Sequence, residues 1–338
     1  MKAIYILFSF LLSFSISMVV LELFVSTTFI AEQSNNDVYN DIGRGRRAGF
    51  EYVKFGEGFS AGQFNEFRYM GPGYPYEKNP GTLRIALLGD SYVEGFQVFD
   101  RDHFRRILED ELKGRLNVNV EVLNFGRSGF DLADMYCYNE TFVSEFNPDF
   151  SLYFVSNADL NPETTDPLRL TLKLEDDSLV ISKQFPNSYL QVYNETKWLV
   201  QYSSILNMLN NCRKIAKSEG VLPILLDKLY PVLTITQSYG ESRFIMPIIT
   251  SKIVNHFNSG DIIINRDQSK LEDEFIDSLS NNKLLLIDLS DTLQYMKDSG
   301  HNPNYWIATK KYGHWNQTGH KAVAKFISDR LLENGVLN

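Results

Sequence analysis

Four positions in this chain hold residue types that together suit acyl transfer. They are Ser91, Gly129, Asn157 and His314, of which the first three each follow an apolar run and the last lies near the carboxyl end. A serine hydroxyl can attack an ester carbonyl when an imidazole takes its proton, and backbone N–H groups with an amide side chain can bind the oxyanion that forms. Each position also has a purely structural interpretation, because serine caps helices and glycine and asparagine form turns.

The apolar patterning predicts elements that bring these residues to one edge of a sheet. The predicted strands are Leu83–Leu88, Val118–Leu123, Phe150–Val155, Leu222–Leu226 and Leu284–Ile287, and the predicted helices are Asp102–Leu116, Leu132–Phe146, Leu199–Ala216 and a last one from about Thr318. Strands that alternate with helices are typical of a parallel sheet covered on both faces. Ligands of such sheets bind at the carboxyl ends of the strands, where these four residues are expected.

Three regions are predicted along the chain. Residues 1–31 form an anchor, residues 32–80 a linker and wrapping segment without a sustained period, and residues 81–338 the α/β domain. Within that domain, the alternating residues 168–185 with Asp176 and Asp177 at their centre predict an inserted hairpin, at about 160–192.

The amino terminus predicts a single membrane-spanning helix. Ala3 to Leu21 are 19 residues without a charge. As a helix they span about 28 Å, close to the hydrocarbon thickness of a bilayer. Phe29 occupies a position where a cleavage site needs a small residue, so we expect an uncleaved signal anchor with membrane contact through residues 3–30. Lys2 favours a cytoplasmic start and a body on the periplasmic or extracellular side, although Arg44, Arg46 and Arg47 weaken that assignment.

Composition argues against several classes of protein. The net charge of −9 disfavours a nucleic-acid binder, which needs a basic face. Two cysteines cannot build a disulfide scaffold or a Cys-rich zinc site, and the five histidines show no H-E-x-x-H spacing. No G-x-G-x-x-G loop follows the first strand, which argues against a dinucleotide site. We therefore expect neither a metal nor a cofactor.

The four motifs resemble those of the SGNH (GDSL-type) hydrolases. They read Gly89-Asp90-Ser91, Asn124 to Gly129, Asn157 and His314, in the order and spacing of that family across residues 81–334. The resemblance implies a flavodoxin-like three-layer sandwich with a parallel sheet of about five strands. It also implies Ser91 as nucleophile, His314 as base, and an oxyanion hole formed by Ser91, Gly129 and Asn157.

The anchor and two further motifs, Asn65 to Arg68 and Lys78 to Ile85, resemble membrane-anchored bacterial members of the family. Their implied substrates are esters, commonly acetyl groups on exported or cell-surface polysaccharides.

The sequence departs from this family at two positions. Ala158 follows Asn157 where the family has Asp, and Lys311 stands three residues before the histidine where the family has its third catalytic residue, an Asp. We expect a Ser91–His314 dyad in which a main-chain carbonyl near Lys311 orients the imidazole. Asp288 and Asp291, after the last predicted strand, are the candidates for a relocated carboxylate.

Two hypotheses from different classes follow. The first is a membrane-anchored serine esterase acting on acetyl esters of a carbohydrate, or an O-acyltransferase that uses the same acyl-enzyme. The second is a non-catalytic glycan-binding or assembly protein with a degenerate hydrolase cleft. The presence of all four motif residues favours the enzyme, whereas Lys311 favours the degenerate cleft.

Overall fold

The computed structural model describes residues 2–27, 35–54, 56–160, 163–164, 168–185, 203–206, 208–209, 212, 243–244 and 247–337. These residues belong to two units. One contains Met1–Asn35 and Pro186–Tyr239, and the other contains Asn36–Phe185 and Gly240–Asn338.

In the first unit, helix α1 spans Lys2–Ser26, and its most apolar 18-residue window has a mean hydropathy of 2.4. This helix is long and apolar enough to cross a membrane, although a signal sequence would have the same properties. The Glu22 carboxylate accepts hydrogen bonds from the Ser203 hydroxyl and the Ile205 N–H, both at 3.2 Å, and from the Ser204 N–H. Glu22 is therefore hydrogen-bonded within its own unit.

The second unit is built on a parallel sheet of five strands. The strands are β5 (Thr82–Leu88), β6 (Asn119–Asn124), β7 (Phe150–Val155), β12 (Asp261–Asn265) and β13 (Leu285–Asp288), in the spatial order β13-β12-β7-β5-β6. Counted along the chain this is the order 2-1-3-4-5 of flavodoxin-like sheets. Strand β12 was not predicted, and the strand predicted at 222–226 lies outside the described residues, as does most of the helix predicted at 199–216.

Helices cover both faces of this sheet, as predicted. Alternate residues of β5 point to opposite faces, so Ala86 and Leu88 join one apolar core while Ile85 and Leu87 join the other. The first core includes residues of α4 (Leu132–Thr141), α6 (Pro247–His256) and α7 (Asp273–Asn281), and the second includes residues of α3 (Phe104–Arg115), α8 (Ser290–Asp298) and α9 (Gln317–Glu333). The three-layer sandwich is confirmed.

The segment before the sheet forms two antiparallel hairpins. They pair β1 (Asn36–Tyr39) with β2 (Gly43–Arg46), and β3 (Glu51–Lys54) with β4 (Ser60–Gln63). Tyr52, Phe64 and Met70 from this segment pack with Phe96, which follows the first strand of the sheet. From residue 36 onward, the segment predicted as a linker thus belongs to the same unit as the sheet.

The predicted inserted hairpin is present, formed by β9 (Thr171–Glu175) and β10 (Ser178–Ser182). Asp176 and Asp177 form its two-residue turn with φ of 48° and 66°. Two positive φ values are the signature of a type I′ turn, for which aspartate is a favoured residue. Short elements complete the unit: α2 (Ser91–Glu94), α5 (Asn157–Leu160), β8 (Glu163–Thr164) paired with β11 (Arg243–Phe244), and β14 (Tyr305–Trp306) paired with β15 (Lys311–Tyr312).

Candidate active site

Ser91 is the first residue of helix α2, directly beyond the carboxyl end of β5. The helix cap is Asp90, whose side chain accepts a hydrogen bond from the Tyr92 N–H at 2.9 Å. Gly95 ends this single turn in the left-handed conformation, with φ of 64°. Because Asp90 supplies the cap, the Ser91 hydroxyl is not used for capping, and it lies 2.7 Å from His314 Nε2.

His314 lies in the loop between β15 and α9, and two contacts and the cap of the following helix fix its place. Its backbone carbonyl accepts from Trp306 Nε1 at 3.0 Å, and its imidazole packs on the Tyr92 ring with centroids 4.7 Å apart. Asn316 caps the following helix by accepting from the Gly319 N–H at 3.0 Å. The imidazole is therefore held from both sides of the loop.

The hydrogen-bond acceptor for the other imidazole nitrogen is the carboxylate of Glu57, a residue outside all of the sequence motifs. His314 Nδ1 lies 2.9 Å from Glu57 Oε2 and 3.1 Å from Oε1, and the His314 N–H donates to Oε2 at 2.8 Å. The expectation that a main-chain carbonyl near Lys311 orients the ring is therefore wrong. A carboxylate, an imidazole and a hydroxyl follow one another at hydrogen-bonding distances.

The two aspartates named as alternatives have other positions. Asp288 accepts from Asn265 Nδ2 at 2.8 Å and from the Ser290 N–H at 2.9 Å, so it joins the ends of two strands and the start of α8. Asp291 is an exposed residue in the first turn of that helix. In the structure neither contacts His314, for which Glu57 is the carboxylate partner.

Glycines allow Glu57 to approach the histidine. A Cβ atom at Gly58 would lie 2.3 Å from the Gln97 carbonyl oxygen and 2.3 Å from the Trp306 ring, and one at Gly313 would lie 2.2 Å from Glu57 Cδ. Such separations do not occur between real atoms, so both positions require glycine in this packing. Thr309 adds a hydrogen bond from its hydroxyl to the Glu57 carbonyl at 3.0 Å.

The Glu57 carboxylate is held in its charged form. Partial burial raises the pKa of Glu57, but the hydrogen bonds from His314, together with the charges of His314 and Lys311, outweigh it and keep the pKa below its ordinary value of 4.5. Lys311, which occupies the position of the missing aspartate, thus favours the anion on Glu57. The charged carboxylate can stabilise an imidazolium.

Gly129 follows β6 and Asn157 follows β7. These two strands flank β5, so both residues lie at the same edge of the sheet as Ser91. Gly129 has φ of 77°, and in the described part of the chain neither its N–H nor that of Ser91 donates to a protein acceptor. Asn157 Nδ2 donates to the Lys270 carbonyl at 2.9 Å, while its Oδ1 accepts from the Glu272 N–H at 2.9 Å. An amide nitrogen has two N–H groups, so one remains for an oxyanion.

A buried ionic cluster connects the turns that carry Ser91 and Asn157. Arg266 Nη2 lies 2.8 Å from Asp90 Oδ2 and 3.0 Å from Asp159 Oδ2. Asp159 also accepts from the N–H and the hydroxyl of Ser156, at 2.7 and 2.8 Å. Burial raises the pKa of Asp90 to about 6, while Arg266 opposes this rise. The family pattern has its aspartate at position 158, which is Ala158 in this chain. Asp159 therefore supplies a carboxylate one position later.

Among the residues that the structure describes, no group of three or more His, Cys, Asp or Glu side chains is arranged to hold a metal ion. The chemistry available at this edge of the sheet is that of a hydroxyl, an imidazole, a carboxylate and N–H donors. These are the groups of covalent acyl transfer.

Comparisons with known proteins concern the fold. No protein-family model and no curated protein matches the chain. Similar solved structures include the lipase/acylhydrolase from Enterococcus faecalis, at 12% identity and a TM-score of 0.35, covering 75% of this chain and 96% of that one. LAE5, an alpha/beta hydrolase enzyme from the metagenome of Lake Arreo, Spain, has 13% identity, a TM-score of 0.41 and coverages of 78% and 99%. The acetyl xylan esterase AlAXEase has 17% identity, a TM-score of 0.33 and coverages of 74% and 100%.

The order of the five parallel strands and the motifs at their carboxyl ends agree with the resemblance found in the sequence. The fold of the second unit is a flavodoxin-like three-layer sandwich, with the motif residues at the carboxyl edge of its parallel sheet.

Proposed function

We propose that this chain is a serine esterase whose catalytic residues are Ser91, His314 and Glu57. The observation that carries the proposal is the continuous path from the Glu57 carboxylate through the His314 imidazole to the Ser91 hydroxyl, with contacts of 2.9 and 2.7 Å. A carboxylate on Nδ1 selects the tautomer whose Nε2 is free to accept a proton. This supports a working nucleophile and argues against a degenerate cleft.

The reaction proceeds through an acyl-enzyme. Ser91 Oγ attacks the ester carbonyl carbon while His314 Nε2 takes its proton, and the carbonyl oxygen becomes an oxyanion. The carbon–oxygen bond to the alcohol then breaks, and His314 returns the proton to the departing oxygen. Water attacks the acyl-serine, gives its proton to His314, and releases the acid as Ser91 recovers its hydrogen. Throughout, the Glu57 carboxylate accepts a hydrogen bond from the Nδ1–H of His314 and stabilises the imidazolium.

The oxyanion is bound by N–H groups that donate to no acceptor among the described residues. The N–H groups of Ser91 and Gly129 and the second N–H of the Asn157 amide are the donors in this proposal. Because they are fixed by the protein before the substrate arrives, they stabilise the developing charge without reorganising. The left-handed backbone of Gly129, at φ of 77°, favours glycine at this position.

We propose acetyl esters of a carbohydrate as the substrate class. Tyr312 lies two residues before His314, is 71% exposed, and pairs with Tyr305 at a centroid distance of 5.1 Å. A tyrosine offers an apolar ring face to the C–H face of a sugar and a hydroxyl to its polar groups. Together with the exposed Ile307, these residues support a sugar polymer rather than a small free ester. A sugar hydroxyl in place of water would make the same site an O-acyltransferase.

A serine-directed fluorophosphonate tests whether the site is catalytic. The reagent forms a covalent bond only with a serine that is activated by a base, so it should label the wild-type chain on the peptide that contains Ser91. The Ser91→Ala chain should stay unlabelled. An unlabelled wild-type chain that is folded and soluble would favour the non-catalytic, glycan-binding alternative.

We further propose that α1 anchors the protein in a membrane, with the catalytic unit on the periplasmic or extracellular side. Spheroplasts carrying the full chain should release acetate from an added O-acetylated polysaccharide and lose this activity after protease treatment. The washed membranes should keep the activity after alkaline carbonate, because a spanning helix resists extraction. Activity that appears only after lysis would contradict the orientation, and activity in the carbonate supernatant would contradict the anchor. Absence of acetate release in every fraction would contradict the substrate class.

A further inference from the structure

Glu94 is a buried carboxylate at the opposite end of helix α2 from Ser91. Its side chain is 1% exposed, and Oε2 accepts from the Ser128 N–H at 2.9 Å and from the Ser128 hydroxyl at 2.5 Å. Ser128 directly precedes Gly129 in the chain. The single helical turn that carries the nucleophile is therefore bonded at its far end to the loop that carries the second N–H of the oxyanion hole.

The same carboxylate is paired with an arginine from the segment before the sheet. Arg46 of strand β2 donates from Nε to Glu94 Oε1 and from Nη2 to Oε2, both at 2.6 Å, in the two-pronged geometry that fixes both groups. Its guanidinium also packs on the rings of Phe96 and Phe64, at 5.2 and 5.7 Å from their centroids. Arg46 is 7% exposed, so the pair is desolvated.

We propose that Arg46 and Glu94 are positioning residues for the oxyanion hole. This assignment rests on the proposed esterase function. Arg46 fixes the rotamer of Glu94, Glu94 fixes the N–H and hydroxyl of Ser128, and the next peptide carries the Gly129 N–H. The distance between the Ser91 and Gly129 N–H groups is thereby set by helix α2 and the Glu94 carboxylate.

The surroundings of the loop leave it few other positions. A Cβ atom at Gly126 would lie 2.3 Å from the Glu94 nitrogen, so the loop backbone runs directly against helix α2. Asn124 Oδ1 accepts from the Gly126 N–H at 3.0 Å, and the Gly129 carbonyl accepts from Arg169 Nη1 at 2.5 Å. Glu94 holds the residue between these two contacts.

This role differs from a contribution to stability alone. Replacing a buried ion pair with apolar residues is often neutral for stability. A contribution to stability therefore does not by itself explain the buried Arg46–Glu94 pair. A positioning role predicts that the rate of the chemical step changes while ground-state binding does not. An oxyanion donor that moves by a fraction of an ångström acts on the transition state, because the charge develops only there.

The test compares four variants of the full chain with p-nitrophenyl acetate. Ser128→Ala removes one hydrogen bond and leaves the backbone in place, and Arg46→Met leaves Glu94 without its partner. We expect kcat to fall about 10-fold and about 100-fold respectively, with KM within about twofold of wild type, as a displaced catalytic group predicts. Arg46→Lys keeps the charge and should restore part of kcat. Arg47→Met, a matched change at a neighbour that stacks on Phe50 instead, should leave kcat unchanged.

A second readout separates positioning from folding. Affinity for a boronic acid, which forms a tetrahedral anion on an active serine, should weaken in parallel with kcat. Unchanged kcat and boronate affinity in a folded Ser128→Ala chain would overturn the assignment even if Arg46→Met did not fold. A wild-type chain with no esterase activity would overturn the proposed function and this assignment with it, whereas an active wild type with unaffected variants would overturn the assignment alone.

Discussion

Replacing Ser91 with alanine should lower the kcat for p-nitrophenyl acetate by a factor of at least about 10⁴. The loss is this large because the attacking atom itself is removed, and the oxyanion donors that remain can assist only the slow attack of water. The substitution removes one oxygen at the start of α2 and leaves the Asp90 cap intact, so the fold should be retained.

A chemically identical change far from the site is available as the control. Ser280→Ala removes an exposed hydroxyl that bonds the Ile276 carbonyl within α7, and it should leave kcat at the wild-type value. Thermal unfolding of both variants should match that of the parent chain. Wild-type turnover by a folded Ser91→Ala chain would end the proposal of a serine nucleophile.

The sheet and the turn that carries Ser91 could be predicted because their signals are local. An apolar run such as Phe150–Val155 predicts a buried strand independently of the rest of the chain. A serine after Gly89 and Asp90 indicates a sharp turn at the end of a strand. The Asp176-Asp177 turn was equally local, since two residues between alternating runs specify a hairpin. In these places local preference and tertiary structure agree.

Strand β12 was missed although Asp261–Asn265 contains three consecutive isoleucines. Such a run favours a strand, but several apolar runs compete in the stretch between β7 and β13. Which run enters the sheet is decided by its fit between two existing strands. Strand β12 pairs with β7 over its whole length and with β13 from Ile262 to Asn265. That fit is a tertiary property.

Glu57 was missed for the same physical reason. It lies 34 residues before Ser91, in a loop between two four-residue strands, and nothing adjacent to it resembles a catalytic motif. Its role depends on how that loop packs against Trp306 and Gly313. One sequence signal was Gly58, directly after Glu57, since a glycine permits a close approach of the backbone to its surroundings.

The prediction that depends most on this correction concerns Glu57 itself. Glu57→Gln should lower kcat by about 10⁴, the loss seen when the aspartate of a catalytic triad becomes an amide. Glutamine keeps the size of the side chain, but its amide N–H can hold the imidazole in the wrong tautomer, and it carries no charge to stabilise the imidazolium. Glu57→Asp keeps the charge but shortens the side chain by one methylene. Its kcat should therefore lie between that of the wild type and that of Glu57→Gln.

The pH dependence of kcat supplies an independent measurement. In the wild type the hydrogen bonds and charge of His314 keep the pKa of Glu57 below 4.5, so the carboxylate stays ionised down to that pH and does not itself limit activity above it. In Glu57→Gln no carboxylate is present at any pH, so kcat should stay below the wild-type value across the whole range above pH 4.5.

Two matched carboxylate-to-amide changes complete the comparison. Asp288→Asn and Asp291→Asn should keep kcat within about threefold of wild type, since in the structure neither group contacts the imidazole. A kcat for folded Glu57→Gln that stays within about tenfold of wild type would mean that the imidazole needs no carboxylate, as in the Ser91–His314 dyad that the sequence suggested. A loss of several hundredfold in either aspartate variant, with Glu57→Gln unaffected, would instead move the acid to that aspartate. Because Glu57 contacts the imidazole and the two aspartates do not, one set of kcat values decides among the three carboxylates.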